Sequence, residues 1–279
     1  MRLWVGNRVD GELVDAALAN VNVLDHGFTV GDGVFETLKV TRSGAFALTR
    51  HIDRLAASAR ALGLPEPDSD IVRFAVEDVL TSNAGEIGDL GRLRITYTAG
   101  VAPLGSDRGD AEPTLVVAAS RAQPWPDTTT VATVPWARNE HSAIAGVKTT
   151  SYAENVVALA FAHAAGASEA VLANTAGALC EGTGTNVFVV VDSTVLTPPV
   201  SSGCLAGITR ELVIEWFGAK EQDLPIDVLQ EADEVFLTSS TRNVHPVVRI
   251  DDRTWDIPGP VSRDLRASFD EQAAKRIDP

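Results

Sequence analysis

Residues 145–160 read AGVKTTSYAENVVALA, one lysine set immediately before a run that otherwise has the pattern of a buried helix. Ser151 followed three residues later by Glu154 predicts a capping box, and Gly166 offers a stop after Ala165. Lys148 then stands just outside the helix start. Its neighbours Val147 and Thr149 predict a packed, largely apolar setting, in which an ammonium loses hydration, its pKa falls and the neutral amine becomes a nucleophile. A lysine at a helix entrance can also extend its ammonium to water along an apolar stem. The stretch alone leaves both readings open.

Working outward, the chain before this stretch carries strand signals at LWVG, GVFETLKV, AFAL, GRLRITYTAG and TLVVAAS. Helices are expected over RHIDRLAASARALGL, where Leu55, Ala59 and Leu62 recur at helical spacing, and over DSDIVRFAVEDVLTSNAG, with Asp68 or Ser69 as cap. A Gly/Pro-rich loop, GVAPLGSDRGDAEP, interrupts the strands. After the lysine come strands at EAVLAN, NVFVVV and EVFLTS and a helix at TRELVIEWFG. The mixture of hairpins and helices lacks a regular βα alternation. AQPWPDTTT, with two prolines and no apolar period, is the expected linker. The expected domains are 1–121, a linker at 122–130, and 131–279.

The totals agree with a soluble globular protein. The 279 residues are 45% hydrophobic and 22% charged, enough to bury a sizeable core. A formal net charge of −15 argues against nucleic acid or an anionic membrane as partner, since both select clustered Lys and Arg. Small molecules are the expected ligands. The first residues lack the apolar core of a signal peptide and no later run approaches membrane-spanning length, which predicts a cytoplasmic protein. Cys180 and Cys204 have neither metal-ligand spacing nor the density of a disulfide scaffold, and no metal is expected.

Two further stretches carry chemistry. In ALCEGTGTNVFVVV, Glu181 precedes small residues that let a planar ligand approach the backbone, or it is simply a turn glutamate before a strand. LAGITR turns through Gly207 into a helix, so the amides of Ile208 and Thr209 can face an anion. LTSSTRNVHPV supplies a second hydroxyl-rich turn, and Arg54 a guanidinium suited to a phosphate dianion.

Together GDGVFETLKV, HIDRLAASA, VKTTSYAENVVALA, EGTGTNVF, LAGITRELV and ADEVFLTSSTRNVHPV resemble, in order and spacing, the class IV aminotransferases, the pyridoxal phosphate enzymes of fold type IV. The resemblance implies an α/β (α+β) fold with a small N-terminal α/β domain, a larger C-terminal domain with a β-barrel-like core, and a homodimer. It implies pyridoxal 5′-phosphate held as a Schiff base by Lys148, with Glu181 at the pyridine nitrogen. Arg54, Ile208, Thr209, Ser240 and Thr241 would hold the phosphate. Tyr152 would touch the phenolic oxygen or cover the cleft, and His51 would be structural.

Members of the family transaminate D-amino acids, transaminate branched-chain L-amino acids, or cleave aminodeoxychorismate to 4-aminobenzoate and pyruvate. HIDRLAASA, GITRELV and TSSTRNVHPVVRID look most like the D-amino acid group, so an amino acid donor and a 2-oxo acid acceptor are expected, with the lyase as alternative. A non-catalytic cofactor-binding protein is a further alternative, disfavoured by the intact Lys148 and Glu181. The sequence departs from that group where a carboxylate-binding arginine usually precedes the glycine of LRITYTAG, because Ala99 stands there, and Phe35 replaces a tyrosine. Arg108 and Arg242 are the expected substitutes. Without them an apolar pocket would extend specificity toward R-amines.

Overall fold

In GVFETLKV the residues alternate between two environments, and the structure shows why. A computed structural model describes residues 1–279 and divides them into two units. The first holds 1–124, 147–152 and 277–279, and the second 125–146 and 153–276.

The first unit contains strands β1 (Arg2–Gly6), β2 (Gly11–Asp15), β3 (Gly33–Thr41), β4 (Gly44–Ala45), β5 (Leu90–Thr98) and β6 (Thr114–Arg121), with helices α1 (His26–Thr29), α2 (Leu48–Ala61), α3 (Ser69–Ser82) and α4 (Ala84–Ile87). The strands form one six-stranded sheet in the order β2-β1-β6-β5-β3-β4. β3 and β5 pair antiparallel from Gly33 with Thr98 to Thr41 with Leu90. Leu38, Val40, Leu93, Ile95 and Tyr97 join one buried cluster with Ile52, Leu55 and Ala59 of α2 and Val72, Ala75, Val76 and Val79 of α3. The intervening residues, Phe35, Thr37, Lys39, Arg92, Arg94 and Thr96, belong to the opposite face, as expected for an antiparallel sheet covered on one side. Asp68 caps α3 by accepting from Asp70 N and Ile71 N, as its position predicts. AFAL, expected as a strand, keeps only Ala45 in β4, because Ala47 turns the chain through φ 55° into α2.

The segment carrying the lysine joins this unit as an extra extended piece beside β3. Phe35 N donates to Lys148 O at 2.9 Å and Thr150 N to Gly33 O at 2.8 Å. The hydroxyls of Thr149 and Thr150 donate to Gly33 O, and that of Ser151 to Gly31 O at 2.9 Å. A side chain on Gly33 would meet Tyr97 O at 2.9 Å, so this close pairing needs glycine. These bonds overturn the capping box. Ser151 has its hydroxyl on Gly31, Glu154 is exposed beside Arg138, and the helix begins only at Ala153. The expected boundaries shift for the same reason, since 147–152 and 277–279 group with the first unit and Thr129 of the expected linker already lies in a strand.

The second unit contains strands β7 (Thr129–Arg138), β8 (Glu169–Asn174), β9 (Leu179–Gly182), β10 (Asn186–Val191), β11 (Thr194–Thr197), β12 (Lys220–Glu221), β13 (Glu234–Ser239), β14 (Asn243–Ile250) and β15 (Arg253–Thr254). Its helices are α5 (Ala153–Ala164), α6 (Ile208–Phe217), α7 (Val228–Glu231) and α8 (Pro260–Lys275). Nine strands make one sheet, ordered β12-β11-β10-β13-β14-β7-β8-β9 with β15 on β14. β7 runs parallel to both β14 and β8, while β13 pairs antiparallel with both β10 and β14. The core contains Val131, Val171, Leu179, Val187, Val189, Val235, Leu237 and Val247. α5 buries an alanine seam, Ala158 and Ala162, against Ala132 and Ala170, whereas Val156, Val157 and Phe161 are exposed. It is therefore a half-buried helix and not the fully buried one that its composition predicts. No helix is long and apolar enough to cross a membrane.

Candidate active site

In the first unit Lys148 and Tyr152 meet at Phe35. Lys148 is half-buried, with Nζ 4.6 Å from the centroid of the Phe35 ring, and Tyr152 meets the same ring edge-on at 5.4 Å. The lysine thus lies against an aromatic face, which attracts an ammonium through the ring quadrupole. A second cation shares that ring. Arg94, on the open face of β5, holds its Cζ 3.5 Å over Phe35 and donates from Nε to Thr96 Oγ1 at 3.2 Å.

Arg54 faces a carboxylate that sequence reading did not single out. Its Nε donates to Glu36 Oε1 at 2.8 Å and its Nη2 to Oε2 at 2.7 Å, and His51 Nδ1 lies 2.6 Å from Oε2. Glu36 is fully buried. Burial alone would raise its pKa, but Arg54 and then His51 outweigh that and hold it at about 2. Burial pushes the His51 pKa down, against the pull of Glu36, so this histidine is a packed, hydrogen-bonded residue.

The substitutes expected for a missing carboxylate ligand are otherwise engaged. Arg108 donates from Nε and Nη2 to Asp32, both at 2.6 Å, and to the carbonyls of Leu62 and Gly63, which anchors its loop. Arg242, in the second unit, donates to Glu169 at 2.9 Å and stacks over Trp125 at 4.1 Å. Ala99 is buried, its N donating to Asp32 O. Of the two arginines on the open sheet face, Arg92 and Arg94, it is Arg94 that lies over Phe35. The alternation Arg92, Arg94, Thr96 against Leu93, Ile95, Tyr97 was the signal that could have found it.

In the second unit Glu181 Oε2 accepts from Leu205 N at 2.9 Å, and Oε1 lies 3.2 Å from Arg138 Nε. Arg138 also donates to Asn155 Oδ1 at 3.1 Å. The N-cap of α6 is Gly207, which has no side chain to satisfy the amides of the first turn. A Cβ at Gly207 would lie 1.9 Å from Asn186 Oδ1, so the helix start sits directly on that asparagine. Asn186 in turn pairs with Thr238 across β10 and β13. Around it the hydroxyls of Thr185, Thr209 and Thr238 are buried without a hydrogen-bond partner. Buried hydroxyls beside uncapped helix amides suit an anion rich in acceptor oxygens. Ser240 and Thr241 lie in the half-buried turn joining β13 and β14. The thiols of Cys180 and Cys204 are free and buried, and burial pushes both pKa values up.

Known proteins share this fold. The profile of the amino-transferase class IV family matches residues 33–250. A putative branched-chain-amino-acid aminotransferase of Methanocaldococcus jannaschii is 33% identical, over 96% of this chain and 96% of its own. A D-alanine aminotransferase of Staphylococcus haemolyticus is 30% identical, over 96% of this chain and 98% of its own. A fold IV transaminase of Curtobacterium pusillum superposes with a TM-score of 0.87 at 28% identity, covering 99% of both chains. The expected α/β fold of type IV is thereby established.

Proposed function

The chain belongs to the class IV aminotransferases, enzymes that use pyridoxal phosphate, and on that footing we propose that it transfers the amino group of a D-amino acid to a 2-oxo acid. The observation that supports an amino acid over a bare amine is the sharing of the Phe35 ring by Lys148 and Arg94, while the D configuration rests on the likeness to the D-alanine aminotransferase. A guanidinium binds a carboxylate in bidentate fashion, and here it contacts the same aromatic ring as the Lys148 amine. Arg94 is thus a carboxylate ligand on a different strand position from Ala99, and R-amines, which have no carboxylate, drop out of the proposal.

Pyridoxal phosphate supplies, when bound, an aldehyde that condenses with amines and a protonated ring that withdraws the electrons left at the substrate Cα. The residues fit it. Lys148 would hold the aldehyde carbon through Nζ, and once displaced by the incoming amine would move the proton from Cα. Glu181, oriented by the Leu205 amide and Arg138, would accept from the protonated pyridine nitrogen. The Ile208 and Thr209 amides, the Thr209 hydroxyl, Ser240, Thr241 and Arg54 would bind the phosphate and so would anchor the cofactor independently of Lys148. Tyr152 would bound the substrate side beside Phe35. The homodimer implied by the family belongs to the same proposal, and a solution mass of twice the chain mass checks it.

A second reading, transamination of branched-chain L-amino acids, is favoured by the 33% identical relative. Absorbance titration of the cofactor-loaded protein with D-alanine and, separately, L-leucine decides between them. Conversion by D-alanine alone, reversed by a 2-oxo acid, is the expected result. Conversion by L-leucine alone would establish the second reading, and conversion by neither would overturn both.

A further inference from the structure

Glu169 opens β8 and is 1% exposed, a buried carboxylate with no part in the chemistry described so far. Its Oε1 accepts from Thr183 N and from Ala170 N, both at 3.2 Å, and from the Thr183 hydroxyl. Its Oε2 accepts from Arg242 Nη2 at 2.9 Å. Thr183 follows Glu181 by two residues, and Arg242 directly follows Ser240 and Thr241. On the other side, Thr183 O accepts from Asn155 Nδ2, and Asn155 Oδ1 accepts from Arg138, which pairs with Glu181. An unbroken line of polar contacts therefore runs Glu181, Arg138, Asn155, Thr183, Glu169, Arg242, all within the second unit.

A carboxylate this deeply buried is tolerated only where donors converge on it, and here they come from two separate segments. Trp125 stacks over the Arg242 guanidinium at 4.1 Å and shields the pair from water. Charge-assisted bonds of this kind resist displacement more than neutral ones. We infer that Glu169 is a positioning residue that locks the Glu181–Thr183 segment to the turn at 239–242. The carboxylate meeting the cofactor's ring nitrogen and the turn meeting its phosphate are then held at one separation. The inference rests on the cofactor assignment proposed above for those two segments. Loss of the Glu169 charge releases the turn, and with it the advantage that a phosphate confers on the ligand.

The experiment compares the dissociation constants of pyridoxal phosphate and of pyridoxal, measured by equilibrium dialysis on the full chain and on its Glu169→Gln variant. The wild-type chain is expected to prefer the phosphorylated ligand. Absence of that preference would overturn the cofactor assignment itself. Given the preference, Glu169→Gln should reduce the ratio of the two constants about 10-fold, the scale seen when an outer partner of a binding group is removed. Thr183→Val, which deletes only one hydroxyl, should reduce it in the same direction and serves if the glutamine variant does not fold. A ratio unchanged in whichever variant folds, including equal weakening of both ligands, would overturn the positioning role.

Discussion

Arg94 stacks on Phe35, its Cζ 3.5 Å from the ring centroid, on the sheet face that α2 and α3 leave uncovered. The aromatic ring and the Nε bond to Thr96 Oγ1 hold the guanidinium in place, and such a group suits a planar anion. Arg94→Met keeps the stem and removes the charge. KM for a 2-oxo acid should rise about 10- to 100-fold, the range of a lost charge-assisted pair, with cofactor affinity unchanged. Steady-state kinetics and a cofactor titration on the same preparation check both halves.

Glu181 should matter more to turnover than to binding. Glu181→Gln preserves the shape that Leu205 N and Arg138 recognise but removes the charge that favours a protonated pyridine. The expected outcome is a fall in kcat of about 100-fold or more, with cofactor still retained after gel filtration. Loss of the cofactor instead would show that the residue is chiefly an anchor.

Gly207 has φ −73°, so its backbone suits any residue, and the demand for glycine is one of space. The Cβ of Gly207→Ala would meet Asn186 Oδ1 and force α6 away from β10. Overpacking of this kind costs about 1–3 kcal/mol. Thermal unfolding should report that loss, and phosphate-ligand binding should weaken with it because the first-turn amides move.

His245 gives a pH dependence with a definite sign. Burial first, and Arg242 and Arg266 after it, push its pKa from 6.5 down to about 4, while Nε2 bonds to the Pro126 carbonyl at 2.9 Å. The unfolded chain therefore binds more protons between pH 6.5 and about 4. The stabilising contribution is complete above pH 6.5 and is lost as pH falls toward 4, about 2 kcal/mol after allowance for solvent screening. Thermal midpoints measured from pH 7 to pH 4 should fall less steeply in His245→Gln than in the wild-type chain. Glu36, held at about 2, adds a second loss below pH 4.5.

Much of the fold was legible because it is written in short-range periods. The alternation of GVFETLKV and GRLRITYT, the Asp68 cap and the apolar runs of β8, β10 and β13 all depend on neighbours two to four residues apart. What misled was equally local. Ser151 and Glu154 have capping-box spacing, but the serine hydroxyl finds a carbonyl 120 residues away. Arg54 reads as a bare phosphate ligand until Glu36, 18 residues earlier, is seen to face it.

The sequence by itself determined the family, and it named Lys148, Glu181 and the two turns at 205–210 and 237–247 as the expected cofactor ligands, since each is a contiguous motif whose chemistry lies in its own residues. Tertiary structure alone decided which arginine meets Phe35, which ones are tied to carboxylates, and that Glu169 joins the segment of Thr183 to the turn of Arg242. Those outcomes depend on strand pairing and helix packing between residues far apart in the chain, where the partner that satisfies a buried charge is chosen by proximity in space and not by spacing in sequence.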